Sequence, residues 1–480
     1  MADADLVLAG RPWVAIRDGR IAAIGHRHDL LGIIGSRTEV IDLGDARVHP
    51  GLKDWHAHLV PTGLFRRRID LSGMTAEEAA RAVAGRVLAT PPGTWVRGMG
   101  FTLDALGVPA PLPVEILDAV APEHPVWLSS HDLHAIWLNT RALRCAGRPA
   151  GSPAYLTEDE IRVFSQCIGR ESLNERTAAV RDAQREFHSY GITAVQDHGR
   201  LEDLEAMAAL GVANEIRLRI DFSVRFHEYD DWREIRPAEP PFPGLLRVNG
   251  LKVFLDGALG SRTAWTLASY DDHDGTGHRA LDHEEALEKV KLAARDGVPT
   301  FFHAIGDAAV REALDLAAAA PGLPHRVEHA QLIHPDDRAR FVEQGVMASV
   351  QPVHLLTDTP TLLDAWGEAR ARASFPVKTL LDLGAEVRFG SDTPVEHENP
   401  MLGVFAATTR CTLAGDLLPG TETIPVARAL SLYYSFPKLV PGLPADLVVY
   451  PEEPERLPVT DLPDLRPSLV VFGGEIVHRG

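Results

Sequence analysis

The 480-residue chain predicts an α/β fold: a distorted (β/α)8 TIM barrel, a small β-sandwich domain formed from both chain termini, and an insertion after the first barrel strand. Three observations carry this. Short apolar runs, eight in all, alternate with helical stretches, as parallel strands buried on both faces do. Several of the runs end on histidine, lysine or aspartate, where a barrel places its chemistry. Both termini, by contrast, are Val- and Ile-rich and punctuated by Gly and Asp, without a helical period.

Residues 1–50 supply the first part of the small β domain, through "ADLVLAG", "WVAIRDGRIAAIG" and "EVIDLGDARVHP", with a hairpin signal at Asp18-Gly19. Residues 436–480 supply the rest, through "ADLVVYP" and "SLVVFGGEIVHRG". The barrel spans 51–435. Its first strand runs into His56 and His58, and the chain then leaves for a segment of about 64–170, too long for a βα loop. That segment is expected to be an inserted subdomain able to cover a site. It opens with a Thr-capped, acidic-first-turn helix, "TAEEAARAVAGRVLAT". After the helix "NERTAAVRDAQREFHSYG" the strand–helix rhythm begins. Its strands are "GITAVQDHG", "EIRLRIDFSV", "GLKVFLDG", "VPTFFHAIGD", "HRVEHAQ", "GVMASVQP" and "AEVRFGSD".

Composition excludes several classes. A formal net charge of -19 argues against nucleic acid and against an anionic membrane surface. No run of about 18 apolar residues offers a membrane span, and "MADADLVLAG" is no signal peptide. Cys145, Cys167 and Cys411 are scattered, which suits a reducing compartment rather than a disulfide framework. The expectation is a cytoplasmic protein with a small-molecule substrate and self-association as a homodimer. There is no G-x-S-x-G elbow, no P-loop and no strand-placed G-x-G-x-x-G.

The strand ends carry the chemistry. His56 and His58 lie one residue apart, so on a strand their imidazoles share a face. Lys252 ends the fourth strand, His303 the fifth, His329 the sixth and Asp392 the eighth. Imidazoles from three places with a carboxylate suit zinc or a similar divalent ion. Lys252 is the odd member: an ammonium cannot ligate, and unpaired on an apolar strand it would be costly. Reaction with carbon dioxide would make it a carbamate, an anion able to bridge two metals.

The segments "PGLKDWHAH", "LKVFLDGALGSRTA", "FFHAIGDAAV", "RVEHAQL", "SVQPVHLLTD" and "FGSDTPV" resemble the amidohydrolase superfamily. More narrowly, they are similar to amidohydrolase family 3, the branch that includes N-substituted formamide deformylases. The resemblance runs over nearly the whole chain. It implies a binuclear centre of two zinc ions: His56, His58 and Asp392 on the more buried one, His303 and His329 on the second, and Lys252 bridging as carbamate. It also implies hydrolysis of a non-peptide C–N bond by a metal-bridged hydroxide, with Asp392 as general base. Cyclic amide, ester or deaminase-type substrates on the same centre stay open, as does a non-catalytic metal-binding relative.

Other residues are candidates for substrate contact. In the insertion these are His134 and Trp137, within "SSHDLHAIWLN", where local packing is the alternative. Arg262 would meet a carboxylate or pin its loop. Gln351 and His354, after the seventh strand, would reach substrate. Asp197 and His198 would either support the ligands or cap a helix, and Asp307 is expected to cap the helix that follows it. "DDHDGTGH" at 271–278 is expected to be a surface loop rather than a metal site.

Overall fold

The computed structural model describes residues 3–130, 135–149, 151–157, 160–161, 164, 171–237 and 239–480. The chain divides into two compact units, Met1–Pro61 with Val180–Gly480, and Thr62–Ala179.

The first unit holds eight parallel strands: β1 (Leu52–Ala57), β2 (Ile192–Gly199), β3 (Arg219–Arg225), β4 (Leu246–Phe254), β5 (Thr300–Ala304), β6 (Arg326–His329), β7 (Met347–Val350) and β8 (Val387–Phe389). Each pairs with the next in chain order, from β1 to β8. Burial explains the apolar runs: every residue of β2, β6 and β7 is buried. The seam between β8 and β1 has no ladder of its own. It is closed just beyond the strands, where Asp392 N donates to His56 O at 2.7 Å and His58 N donates to Thr393 O at 3.0 Å. Gly390 permits this approach, since a Cβ there would collide with His56 N. Asp54 completes the clasp, accepting from Ser391 N at 3.0 Å and Ser391 Oγ at 2.5 Å. The barrel is thus near-closed and distorted at this seam, which brings the ends of β1 and β8 that carry His56, His58 and Asp392 together.

Both termini meet in a seven-stranded sheet of the same unit. Its pivot is the strand Glu39–Pro50. The first half of that strand pairs in parallel with Leu6–Arg11, and its end, Val48–Pro50, pairs antiparallel with Leu447–Val449. Leu8, Val14 and Ile16 from one terminus pack in one cluster with Leu447, Val449 and Val471 from the other. Asp18 and Gly19 turn the hairpin between Trp13–Arg17 and Arg20–Gly25 with φ of 49° and 71°, the left-handed pair a two-residue turn requires.

The second unit has a five-stranded sheet in the order Tyr155–Thr157, Ala135–Leu138, Val126–Ser130, Val96–Phe101, Ile69–Asp70. Its helix Ala76–Leu88 starts at a Thr75–Glu78 capping box. The unit is wider than 64–170 at both ends, because the helices Leu59–Arg66 and Leu173–Ser189 continue across its boundaries. No described helix is long and apolar enough to cross a membrane.

Candidate metal centre

The C-terminal ends of β1, β6 and β8 bring four side chains, His56, His58, His329 and Asp392, together. His56 Nε2 lies 3.3 Å and His58 Nε2 3.1 Å from the same Asp392 oxygen, Oδ1. The His329 ring stands 4.7 Å from that of His56 and 4.4 Å from that of His303. Ligand atoms of His56, His329 and Asp392 all fall within 4.8 Å of one another, and all three residues are buried.

The opposite ring nitrogens are taken, which fixes the tautomers. His56 Nδ1 donates to Glu328 Oε2 at 2.6 Å, and His58 Nδ1 donates to the His198 carbonyl at 2.9 Å. His303 Nε2 donates to the Gly257 carbonyl at 3.0 Å. Each bond leaves one ring nitrogen with a lone pair to give, the usual arrangement around a metal-ligating imidazole. His329 Nδ1 and Lys252 Nζ are buried with no hydrogen-bond partner.

Backbone geometry is bent to reach this. His329 and Asp392 have φ of 73° and 64°, in the left-handed region that non-glycine residues avoid at a cost of about 1–3 kcal/mol each. The reason is visible at His329. Neighbours on a strand point to opposite faces, yet Glu328 and His329 both approach His56. The turn of the backbone at His329 swings its ring round to do so.

Burial and charge set protonation. Burial and the nearby Lys252 push His303 down to about 3. His198 is held well below its usual range by burial and Lys252, and His329 by burial and His303. Burial also opposes the charge on Asp392, but His56, with His354 and His58 beside it, holds its carboxyl well below the usual range. His56 itself is raised: burial and Lys252 act against its charge, and Asp392 with Glu328 outweigh them. Burial lowers Lys252 to about 8, with Glu328 and Asp392 opposing. The lowered His303 and His329 beside an ionised Asp392 have the protonation state that metal binding demands, whereas the raised His56 would give up a proton to a bound ion. The donor set and the unpartnered His329 Nδ1 therefore fit a divalent ion.

Other expected residues fall elsewhere. Trp137 does not offer its ring to a substrate: it is fully buried in the core of the second unit, where Nε1 donates to the Pro113 carbonyl at 3.0 Å. His134 lies outside the described residues. Arg262 is not poised for a carboxylate ligand either. Its Nε binds both Asp272 oxygens at 3.0 Å and its Nη1 the Leu259 carbonyl at 3.1 Å, so it pins its loop. Gln351 is buried, with Nε2 on the Ser349 carbonyl at 3.1 Å and Oε1 unpartnered. His354 Nε2 stands 3.6 Å from Asp392 Oδ2. His198 supports His58 through its backbone carbonyl, while its Nδ1 meets Ser223 Oγ at 2.5 Å. Asp197 receives Leu59 N at 2.5 Å, at the start of the helix Leu59–Arg66. Asp307 does not cap its helix: Gly306 is the cap residue, and Asp307 Oδ1 accepts from Leu267 N at 2.8 Å.

Two residues escaped the sequence reading. Glu328 joins His56 and His198 in a second group of ligand atoms within 4.8 Å. Asp256 accepts from Trp265 N, Ile305 N and Gly306 N, tying the loop after β4 to the end of β5 beside His303. A carboxylate inside a wholly buried strand needs a buried partner, and "RVEHAQ" carried that signal.

Residues 39–478 match the model of an amidohydrolase family. Protein LONG AFTER FAR-RED 3 of Arabidopsis thaliana is 30% identical over 490 residues, covering 91% of this chain and 83% of its own. An N-substituted formamide deformylase of Arthrobacter pascens is 24% identical over 476 residues, 88% of this chain and 84% of its own. Among solved structures, an uncharacterised metal-dependent hydrolase from Pyrococcus horikoshii has the same fold, with a TM-score of 0.83 at 24% identity over 95% of this chain and 99% of that one.

Proposed function

Since the chain belongs to the amidohydrolase family, metal-dependent hydrolases of carbon–nitrogen bonds other than peptide bonds, we propose that it cleaves the amide C–N bond of a small molecule with Asp392 as general base. The observation that carries this is the position of Asp392 Oδ1 between His56 Nε2 and His58 Nε2, at 3.3 and 3.1 Å. The formamide deformylase relative supports the amide as substrate class.

In this reading His56, His58 and Asp392 hold one divalent ion and His303 with His329 a second, zinc being the metal that imidazole and carboxylate donors suit. When bound, such ions supply Lewis acidity, acidifying water and polarising a carbonyl. Asp392, kept ionised by its imidazole neighbours, takes a proton from water and delivers it to the leaving nitrogen. Lys252 joins as a carbamate: its amine adds to carbon dioxide with loss of a proton, which turns a buried cation into a bridging anion. The lowering of Lys252 to about 8 and its unpartnered Nζ favour that reaction. Free Cys145 and Cys411 support a cytoplasmic setting.

The test is a screen of N-formyl, N-acyl and carbamate compounds against zinc-loaded protein, scoring release of acid and amine. Turnover of an amide class that chelation abolishes supports the proposal. Turnover confined to esters, or equal turnover after chelation, refutes it.

A further inference from the structure

The opposite mouth of the barrel carries a second cluster of charge. Lys53, Arg247 and Arg388 are the second residues of β1, β4 and β8, and Arg326 is the first of β6. Three of them surround one ring: Lys53 Nζ, Arg388 Cζ and Arg326 Cζ lie 4.0, 4.9 and 5.5 Å from the centroid of Trp55. Two carboxylates answer the four cations. Asp221 pairs with Lys53 at 2.5 Å and also with Arg247, while Glu386, exposed at the rim, pairs with Arg388 at 3.2 Å.

Arg326 is left over. It is 7% exposed and stacked 4.2 Å from the Phe301 ring. Its Nη1 donates to Gln196 Oε1 at 3.0 Å, and its Nε has no hydrogen-bond partner. Glu328 lies two residues along β6, but its Oε2 is committed to His56. Trp55 Nε1 is a second buried donor without a partner, on a ring that is itself only half-buried. Glu328, Asp221 and Glu386 act on the Arg326 charge, Glu328 most, but none meets its Nε, and a buried donor left without a hydrogen bond is costly. The mouth thus has four cations against two directly paired carboxylates, with Glu328 as a third negative charge acting on Arg326, in a chain whose formal net charge is -19. A cluster with excess positive charge attracts anions.

We propose that the N-terminal mouth of the barrel binds one small inorganic anion, a halide or an oxyanion, with Arg326 Nε and Trp55 Nε1 as its donors and Lys53 and Arg388 as flanking charges. The site stabilises the fold at the end of the barrel remote from the metal ligands. It makes the protein's stability depend on anion identity, beyond the general effect of ionic strength.

The experiment uses the full-length metal-loaded protein. Thermal unfolding is followed while bromide or phosphate replaces a bulky sulfonate buffer anion at fixed ionic strength, and a bromide-soaked crystal is examined for anomalous signal. The expected result is a midpoint that rises and saturates, with a bromide peak beside the Arg326 guanidinium. Phosphate competing with bromide would identify an oxyanion site, and bromide alone a halide site. Arg326→Met should abolish saturation. Because Arg326→Met also disturbs a buried side chain packed on Phe301, Arg388→Met and Trp55→Phe serve beside it, each expected to weaken apparent affinity about tenfold through loss of one contact to the anion. A midpoint unresponsive to anion identity, saturation unchanged in these variants, or no anomalous peak in the mouth overturns the proposal.

Discussion

Glu328 Oε2 accepts a 2.6 Å hydrogen bond from His56 Nδ1, and both side chains are essentially excluded from solvent. The bond holds the proton on Nδ1 and leaves Nε2 facing Asp392. Partners of this kind typically contribute 10–100-fold to metal affinity. Glu328→Gln keeps an acceptor of the same shape but removes its charge. Metal affinity, measured by competition with a chelator, should fall at least tenfold, while the far-UV circular dichroism spectrum stays that of the wild type. Unchanged affinity would mean that Glu328 serves packing alone.

Asp392 occupies the same point from the other side, and its oxygens face His56, His58 and His354. Asp392→Asn cannot accept a proton from water. The kcat on any amide found by the screen should fall by about 10²–10⁴-fold, the range of a lost general base. Wild-type turnover in the variant would remove Asp392 from the mechanism.

How legible was this in the sequence? The barrel was, because its strands are buried on both faces and so must be continuous apolar runs, as in β2 and β7. The cluster of His56, His58, His303, His329 and Asp392 was, because these are polar residues at the ends of those runs. What supports them was not. Glu328 sits inside β6, one residue before a ligand, where strand alternation assigns it to the wrong face. Only the left-handed backbone at His329 reconciles the two. Trp137 and Arg262 were open between substrate contact and packing or loop-pinning. Both belong to segments rich in functional-looking residues, but the partners that occupy them, the Pro113 carbonyl and Asp272, are contacts that no spacing rule predicts. The mouth cluster was invisible for a similar reason: Lys53, Arg247, Arg326 and Arg388 come from four strands and meet only when the barrel closes.

Lys252 offers a test independent of turnover. Its Nζ is buried and unpartnered, so a carbamate should appear in crystals of the loaded protein as three additional atoms on Nζ. Lys252→Ala should lose activity and regain part of it with short-chain carboxylic acids, which restore a bridging anion. An unmodified amine in metal-loaded crystals, with no rescue, would end the carbamate assignment.

Acid sensitivity should have a component far from the metal ligands. His188 is buried, its Nε2 donates to the Arg217 carbonyl at 2.7 Å, and burial lowers it to about 4. His49, lowered to about 4 by burial against the pull of Glu453, behaves alike. In the unfolded chain both titrate near the ordinary value of about 6.5. Between those values the unfolded state binds more protons, so stability is fully present above about pH 6.5 and is lost as pH falls towards 4, by up to about 3 kcal/mol per site. Other buried histidines, His303 and His329 among them, also respond to acid, so the informative quantity is a difference. His188→Gln can still donate to Arg217 but cannot titrate. Its unfolding free energy, measured in urea from pH 7 to 4, should fall less steeply than that of the wild type. Two parallel curves would show that His188 takes no part in the acid response.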